Sequence, residues 1–289
     1  MQKAIFLLIL SLVALSCVGR KNADSANNKG PKNFSITELW STDTIMKTPE
    51  SVLYDSVRNV LYVANMNRID AGDNTGFISK INTDGTVIDL HWIYGLNEPR
   101  GMGIYANRLF ATDMNRIIVI DLDKEEWVES IPVEGALFLN DLAIGKEGTV
   151  YFSDSRAGKL QYYKDGEIID WFSAYPNPNG LLDAGEALIV CATSVDEIRR
   201  VNKTTGEYEV MASGINGDGI EHSGIQDYYI VTEWVGRMHI IGSDTIQTVL
   251  DTSKEKINSA DIGYNSKNKI IYVPTFFDNR VVAYSLIEK

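Results

Sequence analysis

Short runs of alternating apolar and polar residues follow one another along most of the chain, and they predict a protein built from β-strands. The runs come in pairs that are separated by a polar or glycine-containing break, which is typical of β-hairpins. The six pairs are 60–64 with 77–81, 108–112 with 117–120, 149–153 with 159–163, 188–191 with 197–201, 228–232 with 237–240, and 270–273 with 280–284.

Turn residues lie where these runs are interrupted. Asp84-Gly85, Glu147-Gly148, Asp165-Gly166 and Thr205-Gly206 each offer a glycine at a point where reversal of the chain needs a positive φ. No long amphipathic helical pattern interrupts the strands. The pattern therefore predicts an all-β fold.

The hairpin pattern restarts six times at a spacing of about forty residues, the period of a four-stranded propeller blade. Six such units predict a six-bladed β-propeller. The last unit ends at Lys289 and is too short for a complete blade. We expect residues 36–41 to supply its outer strand, which would close the ring and cover an open sheet edge, with Trp40 packed between blades.

One residue stands at the same register before each repeat. In a closed propeller these positions meet near one end of the central channel. Two carboxylates and two amides among them form a hard oxygen set, which suits Ca²⁺ foremost and otherwise Mg²⁺ or Mn²⁺, with Zn²⁺ as a further alternative. One side of this ring would be left open by its alanine. The six positions are Glu50, Arg100, Asn140, Asn179, Asp218 and Ala260.

Composition and charge narrow the range of partners. The 289 residues are 44% hydrophobic and 23% charged, an ordinary balance for a globular protein. The formal net charge of -12 disfavours binding to nucleic acid or to anionic membrane surfaces. We expect a monomer that acts on a small molecule.

The N-terminus has the pattern of an export signal. An apolar run over 4–15 is too short to span a bilayer, and it ends in Ala14-Leu15-Ser16-Cys17, which resembles a bacterial lipobox. Residues 1–17 are therefore predicted to be a lipoprotein signal peptide with Cys17 as the lipidated residue; the alternative is cleavage by an ordinary signal peptidase. Residues 18–33 would form a polar linker, and 34–289 the propeller. The anchor predicts a periplasmic lipoprotein at the outer membrane, with no other membrane contact.

The remaining cysteine and the histidines offer little further chemistry. Cys191 lies in an apolar strand-like run and is predicted to be a small buried hydrophobe. Strict alternation would place His222 on the same strand face as Asp218, which makes it a candidate for substrate binding. The alternative for His222 is a structural strand histidine, as we expect for His91 and His239.

The lead-in segments resemble a known family, the six-bladed propellers that include senescence marker protein (regucalcin), gluconolactonase and luciferin-regenerating enzyme. Residues 50–55 resemble the family's E-[GS]-P-x-W segment, and Asn140-Asp141 resembles its N-D pair. Residues 178–181 resemble its P-N-G-[LI] segment, and 217–220 its P-D-G segment. The four segments occur in the family's order and at its blade spacing, over essentially the whole propeller.

The resemblance implies a metal site and a reaction. Glu50, Asn179 and Asp218 would ligate a divalent cation, and Asn140 would complete or flank the site. Asp218 would act as the catalytic base, while Asn140 and Asp141 would contribute to the substrate pocket. The implied activity is hydrolysis of a lactone or related ester, in which the cation polarises the carbonyl and Asp218 helps to activate water.

Some positions depart from the family's pattern. Phe138 stands where sugar-lactone enzymes of the family often have arginine, and Val52 and Tyr54 replace a proline and a tryptophan. Arg100 is unusual in the ring: it could bind an anionic substrate or stabilise an oxyanion, or it could pair with Glu50 and weaken metal binding.

Two hypotheses therefore remain. The first is a metal-dependent lactone or ester hydrolase at the cell envelope, and the second is a non-catalytic propeller that binds a ligand or a protein. Pairing of Arg100 with both Glu50 and Asp218 would count against catalysis. Exposed apolar or aromatic patches on a blade face would favour the binding hypothesis.

Overall fold

The computed structural model describes residues 32–69, 72–243 and 245–289. The predicted signal peptide, Cys17 and most of the predicted linker lie outside these residues. The described part contains 24 strands in six four-stranded antiparallel sheets, which are the blades of a six-bladed β-propeller. The fold predicted from the repeat is confirmed.

The first three blades follow the chain, each running from the innermost to the outermost strand. The described chain begins with β1 (Phe34–Ser41), which belongs to the last blade. Blade 1 contains β2 (Pro49–Asp55), β3 (Val60–Asn65), β4 (Gly76–Asn82) and β5 (Val87–Leu96); blade 2 contains β6 (Pro99–Tyr105), β7 (Arg108–Asp113), β8 (Arg116–Asp121) and β9 (Glu126–Pro132); blade 3 contains β10 (Leu139–Ile144), β11 (Val150–Asp154), β12 (Lys159–Lys164) and β13 (Glu167–Phe172).

The last three blades repeat this order, and three short 3-10 turns interrupt the connections of the chain. Blade 4 contains β14 (Pro178–Ala184), β15 (Ala187–Ala192), β16 (Glu197–Asn202) and β17 (Tyr208–Ser213); blade 5 contains β18 (Gly217–His222), β19 (Tyr229–Glu233), β20 (Arg237–Gly242) and β21 (Thr245–Asp251); blade 6 contains β22 (Gly263–Asn265), β23 (Ile270–Pro274), β24 (Val281–Glu288) and β1. The turns are Lys146–Gly148, Thr193–Val195 and Phe276–Asp278.

The ring closes through β1, as the sequence predicted. This strand pairs antiparallel with β24, so that Phe34 lies opposite Glu288, and it becomes the outermost strand of blade 6. Trp40 packs against the Tyr272 ring at 5.9 Å and donates from Nε1 to the carbonyl oxygen of Thr83 in blade 1 over 3.0 Å. The tryptophan thus fixes the last blade against the first.

Apolar layers between neighbouring blades form the core. Strand β3 is buried along its whole length, while the outermost strand β9 keeps most of its side chains at least partly exposed. Tyr62 and Trp92 of blade 1 pack with their ring centroids 4.7 Å apart, in one cluster with Ile118 of blade 2. Burial of this surface stabilises the radial arrangement because each blade covers the apolar face of the next.

The innermost strands share an irregularity that positions the candidate site. In blades 1 to 5 the pairing register shifts near the start of the innermost strand, beside the repeated ring position. Such bulges bend a strand and redirect its side chains. Because neighbouring strands are antiparallel, the turn after the second strand of each blade lies at the end of the channel where the innermost strand begins. We call this end, with its lead-in segments and turns, the channel mouth.

None of the helical segments in the described ranges has the length and apolar character needed to cross a membrane.

Candidate active site

Several predicted ring residues come together at the channel mouth. Glu50 and Asp218 are close enough for their charges to repel one another. Asn179 donates from Nδ2 to Oδ1 of Asp218 over 2.6 Å, and it thereby connects the innermost strands of blades 4 and 5. Asn140 in blade 3 is buried and donates from Nδ2 to Oγ of Ser155 over 3.1 Å. Hydrogen bonds thus orient the side chains of Asn140, Asn179 and Asp218.

Glu50 has an unsatisfied acceptor. Its Oε2 is buried and has no hydrogen-bond partner among the residues that the structure describes. Burial raises the pKa of Glu50 well above its usual range, and the nearby charge of Asp218 raises it further, while Arg100 acts in the opposite direction. A buried carboxylate in this condition is costly unless it is protonated or a cation approaches it.

Asp218 is held in a similar balance. Burial raises its pKa to about 6, and the hydrogen bond from Asn179 opposes that rise because it stabilises the charged form. Asp218 lies on the second residue of β18, beside the bulge that interrupts regular pairing with β19. Its backbone therefore departs from strict alternation where the side chain meets the channel.

Asp141 is held mainly by backbone donors. Its Oδ1 accepts the N–H of Leu142 and its Oδ2 accepts the N–H of Leu181, both over 2.6 Å. Burial raises the pKa of Asp141 to about 7 against these two bonds, and Asp261 also hydrogen-bonds to it. Asp141 therefore ties blade 3 to blade 4 and faces a second carboxyl group across the channel.

Sequence reasoning gave no role to two channel carboxyl groups, Asp261 and Glu221. Burial raises the pKa of Asp261 well above its usual range, and the charges of Asp141 and Glu50 add to this effect. Burial also raises the pKa of Glu221 to about 8. Together with Asp141, these side chains line a cavity of about 320 Å³ in the channel. Asp261 follows Ala260 as Asp141 follows Asn140, and this shared register was the signal that could have identified it.

Glycines make room for these carboxyl groups. A Cβ on Gly101 would collide with the Oδ1 and Cα of Asp141, and a Cβ on Gly219 would lie 2.6 Å from Oδ1 of Asp261. In both cases the glycine is on the blade that precedes the aspartate. The absence of a side chain on one blade thus allows the carboxyl group of the next blade to pack beside it.

Arg100 pairs with a residue that sequence reasoning did not consider. Its Nη2 lies 2.5 Å from Oε2 of Glu98, and the two side chains are 2% and 0% exposed. Its Nη1 donates to the carbonyl oxygen of Leu139 over 3.1 Å, and the guanidinium lies 3.9 Å from the Phe138 ring centroid. Among the residues that the structure describes, Arg100 forms no ion pair with Glu50 or with Asp218. Direct contact with a substrate would require the buried pair to open.

The side of the ring occupied by Ala260 is covered, contrary to the expectation that this alanine leaves it open. Ala260 is fully buried and clusters with Met66 and Phe276. The N–H of Asp261 donates to the carbonyl oxygen of Glu50 over 2.9 Å, which joins this side of the ring to blade 1. Phe276, in the turn after β23, packs on Ala260 and covers the space beside its small side chain.

His222 does not lie with the ring residues. The register shift in β18 interrupts the assumed alternation, so Glu221 rather than His222 lines the channel cavity. The ring of His222 is exposed, accepts the N–H of Gly224 at Nδ1, and lies 2.7 Å from the carbonyl oxygen of Gln226 through Nε2. The structure thus places His222 in a turn at the end of its strand.

The other two histidines lie away from the ring's polar groups, whereas Cys191 lies within range of the charges of Asp218 and Asp141. His91 is exposed on β5, and His239 is buried between Glu233 and Thr248. Cys191 is fully buried, and burial raises the pKa of its thiol well above the usual range. A buried neutral thiol behaves as a small apolar side chain, as predicted for Cys191.

A metal site cannot be assigned from acidic, histidine and cysteine side chains alone. Within residues 32–69, 72–243 and 245–289, no group of three or more such side chains is arranged to hold a metal ion. A site at the mouth would therefore need the amide oxygens of Asn140 and Asn179 as well as Glu50 and Asp218. The donor chemistry fits a hard cation, and the unpartnered Oε2 of Glu50 is the feature that such an ion would satisfy.

Comparisons with known proteins identify the fold. No family model and no curated protein matches the chain. Among solved structures, a streptogramin B lyase is 14% identical with a TM-score of 0.65, and the match covers 88% of this chain and 98% of the lyase. Virginiamycin B lyase from Staphylococcus aureus, substituted with selenomethionine, is 16% identical with a TM-score of 0.62 over 88% of this chain and 100% of its own.

A third structure is a catalytically inactive histidine-to-alanine variant of that virginiamycin B lyase with quinupristin. It is 15% identical, with a TM-score of 0.60 over 88% of this chain and 100% of its own. Identities this low show a shared architecture, and the resemblance to the gluconolactonase and regucalcin family remains an interpretation of the sequence. These comparisons identify the chain as a six-bladed β-propeller similar in fold to the virginiamycin B lyases.

Proposed function

We propose that this protein is a divalent-cation-dependent hydrolase of a lactone or related ester. The observation that carries the proposal is the buried, unpartnered Oε2 of Glu50, which lies within electrostatic range of Asp218 at the channel mouth. A cation would give Oε2 of Glu50 the interaction that it lacks, and it would reduce the repulsion between the carboxylates of Glu50 and Asp218. Glu50, Asn140, Asn179 and Asp218 would hold it, with Ca²⁺ the first choice and Mg²⁺, Mn²⁺ or Zn²⁺ as alternatives.

The arrangement around Arg100 supports a cation rather than an anionic ligand. Because Glu98 already balances the guanidinium in a buried ion pair, Arg100 offsets the charge of Glu50 only in part. Glu50, Asp218, Asp141 and Asp261 then face the channel without a further basic side chain among the described ring residues. The charge that best complements this environment is positive.

In the proposed reaction the protein supplies orientation and a base. A bound cation would act as a Lewis acid toward the ester carbonyl. Asn179 fixes the carboxyl group of Asp218 by its hydrogen bond, so that the free oxygen can accept a proton from an attacking water. Asp141 lines the channel cavity, and Asn140 directly precedes it in β10. The two residues would position the ester group. Arg100 would act as a positioning residue, because it holds the carbonyl oxygen of Leu139 directly before Asn140.

The proposed chemistry relies on carboxyl groups because no histidine of this chain lies at the ring: His91 and His222 are exposed elsewhere, and His239 is committed to Glu233. One of the solved structures of similar fold is a virginiamycin B lyase made inactive by replacement of a histidine. This difference favours a hydrolase with an aspartate base over a reaction that depends on histidine.

The second candidate function is a non-catalytic propeller that binds a ligand or another protein. The observation that favours it is the exposure of Trp234 and Phe277 at the channel mouth, 42% and 55% respectively. Under this alternative the channel carboxyl groups would contribute to binding alone, and the wild type would hydrolyse no lactone.

The location of the protein follows from the sequence signal. We propose a monomeric lipoprotein of the cell envelope that is anchored to the outer membrane through Cys17, faces the periplasm and binds no nucleic acid. In fractionated bacteria, the wild-type protein should be recovered with the outer membrane and a Cys17→Ser variant should be soluble. Recovery of both proteins in the same fraction would contradict the anchor.

The test of the proposed function is a pH-stat screen over aliphatic, aromatic and sugar lactones with each of the four cations. We expect cation-dependent hydrolysis by the wild type, and a loss of about 10²-fold or more in kcat for Asp218→Asn, the scale of a general base. Glu134→Gln, at an exposed carboxylate, is the control and should retain activity. Hydrolysis by wild type and Asp218→Asn at equal rates would refute the catalytic role, and no hydrolysis with any cation would favour the binding function.

A further inference from the structure

Three aromatic rings form a cluster at one side of the channel mouth. Trp234 lies 5.5 Å from Phe276 and 5.8 Å from Phe277, and the two phenylalanines are 4.8 Å apart, all edge to face. Phe276 is 7% exposed, whereas Trp234 and Phe277 are about half exposed. Phe276 thus forms the base of the cluster, and the other two rings form its open surface.

The cluster is built into the candidate site. Phe276 packs on Ala260 and Met66, so it covers the ring position that lacks a polar side chain. In the same turn, Asn279 Oδ1 accepts the N–H of Thr48 over 2.8 Å, two residues before Glu50. The aromatic surface is therefore attached to the lead-in segment that presents the unpartnered glutamate.

A second anchor connects the cluster to the lead-in segment of blade 6. Asn258 donates from Nδ2 to the carbonyl oxygen of Trp234 over 2.8 Å. Its Oδ1 and the Oγ of Ser259 are buried, and neither atom has a hydrogen-bond partner within the described part of the chain. Buried polar atoms without partners are uncommon in folded proteins. Asn258 and Ser259 immediately precede Ala260 in the chain, so these two atoms lie between the aromatic cluster and the ring.

The backbone of Phe276 is held in an unfavourable conformation. Its φ is 49°, in the left-handed region that aromatic residues rarely adopt. Such strain persists only where the surrounding contacts enforce it, and it is concentrated at ligand-binding and active sites. Here the contacts with Ala260, Met66 and the two neighbouring rings hold Phe276 beneath the exposed pair.

The rest of the mouth is also apolar in places. Ile69 lies in the connection after β3, Leu137 in the lead-in to β10, and Val195 in the turn after β15; they are 46%, 62% and 45% exposed. By the strand order of the blades, these connections belong to the same end of the channel as Trp234. The mouth therefore combines an acidic channel with an apolar margin.

We propose that Trp234, Phe276 and Phe277 form an apolar subsite that binds an aromatic group carried by the lactone or ester substrate. The inference rests on the proposed function and specifies its substrate class. An aryl group can lie against the exposed edges and faces of Trp234 and Phe277, while the ester group reaches Asp218 and Glu50. A polyhydroxylated sugar would place hydroxyl groups against the same apolar surface, where the ring edges offer few hydrogen-bond partners.

The experiment compares two lactones, 3,4-dihydrocoumarin, which has a fused aromatic ring, and δ-valerolactone, which has none. For Trp234→Ser we expect KM for dihydrocoumarin to rise about 10-fold, the scale of one aromatic contact, with kcat unchanged and KM for δ-valerolactone unaltered. Trp234→Phe should retain most of the affinity. Tyr94→Ser is the matched control, because Tyr94 is an exposed aromatic residue on outer strand β5. Equal KM changes for both lactones, or none, would overturn the subsite.

A binding measurement separates this inference from the proposed function. The lactam analogue 3,4-dihydro-2-quinolinone is titrated calorimetrically into wild type, Trp234→Ser and Tyr94→Ser. Weaker binding to Trp234→Ser alone supports the subsite even if no lactone is hydrolysed, a result that would remove only the hydrolase function. Equal binding to all three proteins overturns the subsite while cation-dependent hydrolysis can still stand. A wild-type dimer that Trp234→Ser dissociates would instead identify the cluster as an interface between copies, which also overturns the subsite.

Discussion

Asn179 and Asp218 are joined by a 2.6 Å hydrogen bond that crosses from blade 4 to blade 5. The bond uses the amide nitrogen of Asn179, so its amide oxygen is left for another interaction at the channel mouth. It also orients Asp218, whose pKa is raised to about 6 by burial. The bond thus leaves the amide oxygen of Asn179 available to a cation and orients Asp218 for its proposed role as the base.

Removal of this hydrogen bond should raise the pKa of Asp218 further. In an Asn179→Leu variant the charged form of Asp218 loses its donor, while the burial that disfavours charge remains. The carboxyl carbon of Asp218, followed by NMR in cation-free protein, should titrate at higher pH than in the wild type. Asn115→Leu, at an exposed position in the turn after β7, is the control and should leave this titration unchanged. A lower pKa in Asn179→Leu would show that the bond does not favour the charged carboxylate.

The buried pair of Arg100 and Glu98 predicts a large and non-additive effect on stability. Arg100→Met leaves the glutamate charge buried without its guanidinium, and it should cost roughly 3 to 5 kcal/mol in the free energy of unfolding. Urea denaturation of Arg100→Met, Glu98→Leu and the double variant gives the coupling between the two side chains. We expect the double variant to lose less than the sum of the single losses. Additive losses would mean that the pair contributes no coupling.

The channel carboxyl groups predict that stability falls as the pH rises. Burial raises the pKa of Asp218 to about 6, of Asp141 to about 7 and of Glu221 to about 8. The folded protein therefore binds protons more tightly than the unfolded chain. This contribution is complete below pH of about 4, the usual carboxyl range, and is lost stepwise up to pH of about 8.

Replacement of Glu221 tests this sign directly. In cation-free buffer, the Tm of the wild type should be lower at pH 9 than at pH 5. This decrease in Tm should be larger for the wild type than for Glu221→Gln. Glu134→Gln, at an exposed site, should follow the wild type at both pH values. A wild-type Tm that increases from pH 5 to pH 9 would contradict the account of the channel charges.

The sequence predicted the blades because each one repeats the same local pattern. Apolar β-branched runs such as β3 and β15 are buried in full, and Gly85 has the positive φ expected of its turn. The closure through β1 followed from the missing outer strand of blade 6. These features depend on local periodicity and on strand number, both of which can be counted along the chain.

The orientation of individual side chains at the mouth could not be predicted in the same way. Strict alternation predicted His222 on the same strand face as Asp218, but β18 contains a bulge, and Glu221 rather than His222 lines the channel cavity. Arg100 pairs with Glu98 and packs over the Phe138 ring, and the repeat encodes neither contact. The covering of Ala260 depends on Phe276, which lies in another part of blade 6.

The central claim is that the unpartnered Glu50 and its neighbours bind a divalent cation. Calorimetric titration of Ca²⁺ into the wild type, and into Glu50→Gln and Glu134→Gln, tests it most directly, with the Tm measured on the same samples. We expect one binding event in the wild type and in Glu134→Gln, with a rise in Tm, and affinity at least about 10-fold weaker in Glu50→Gln. No heat and no rise in Tm with Ca²⁺, Mg²⁺, Mn²⁺ or Zn²⁺, or equal binding by Glu50→Gln, would contradict the claim.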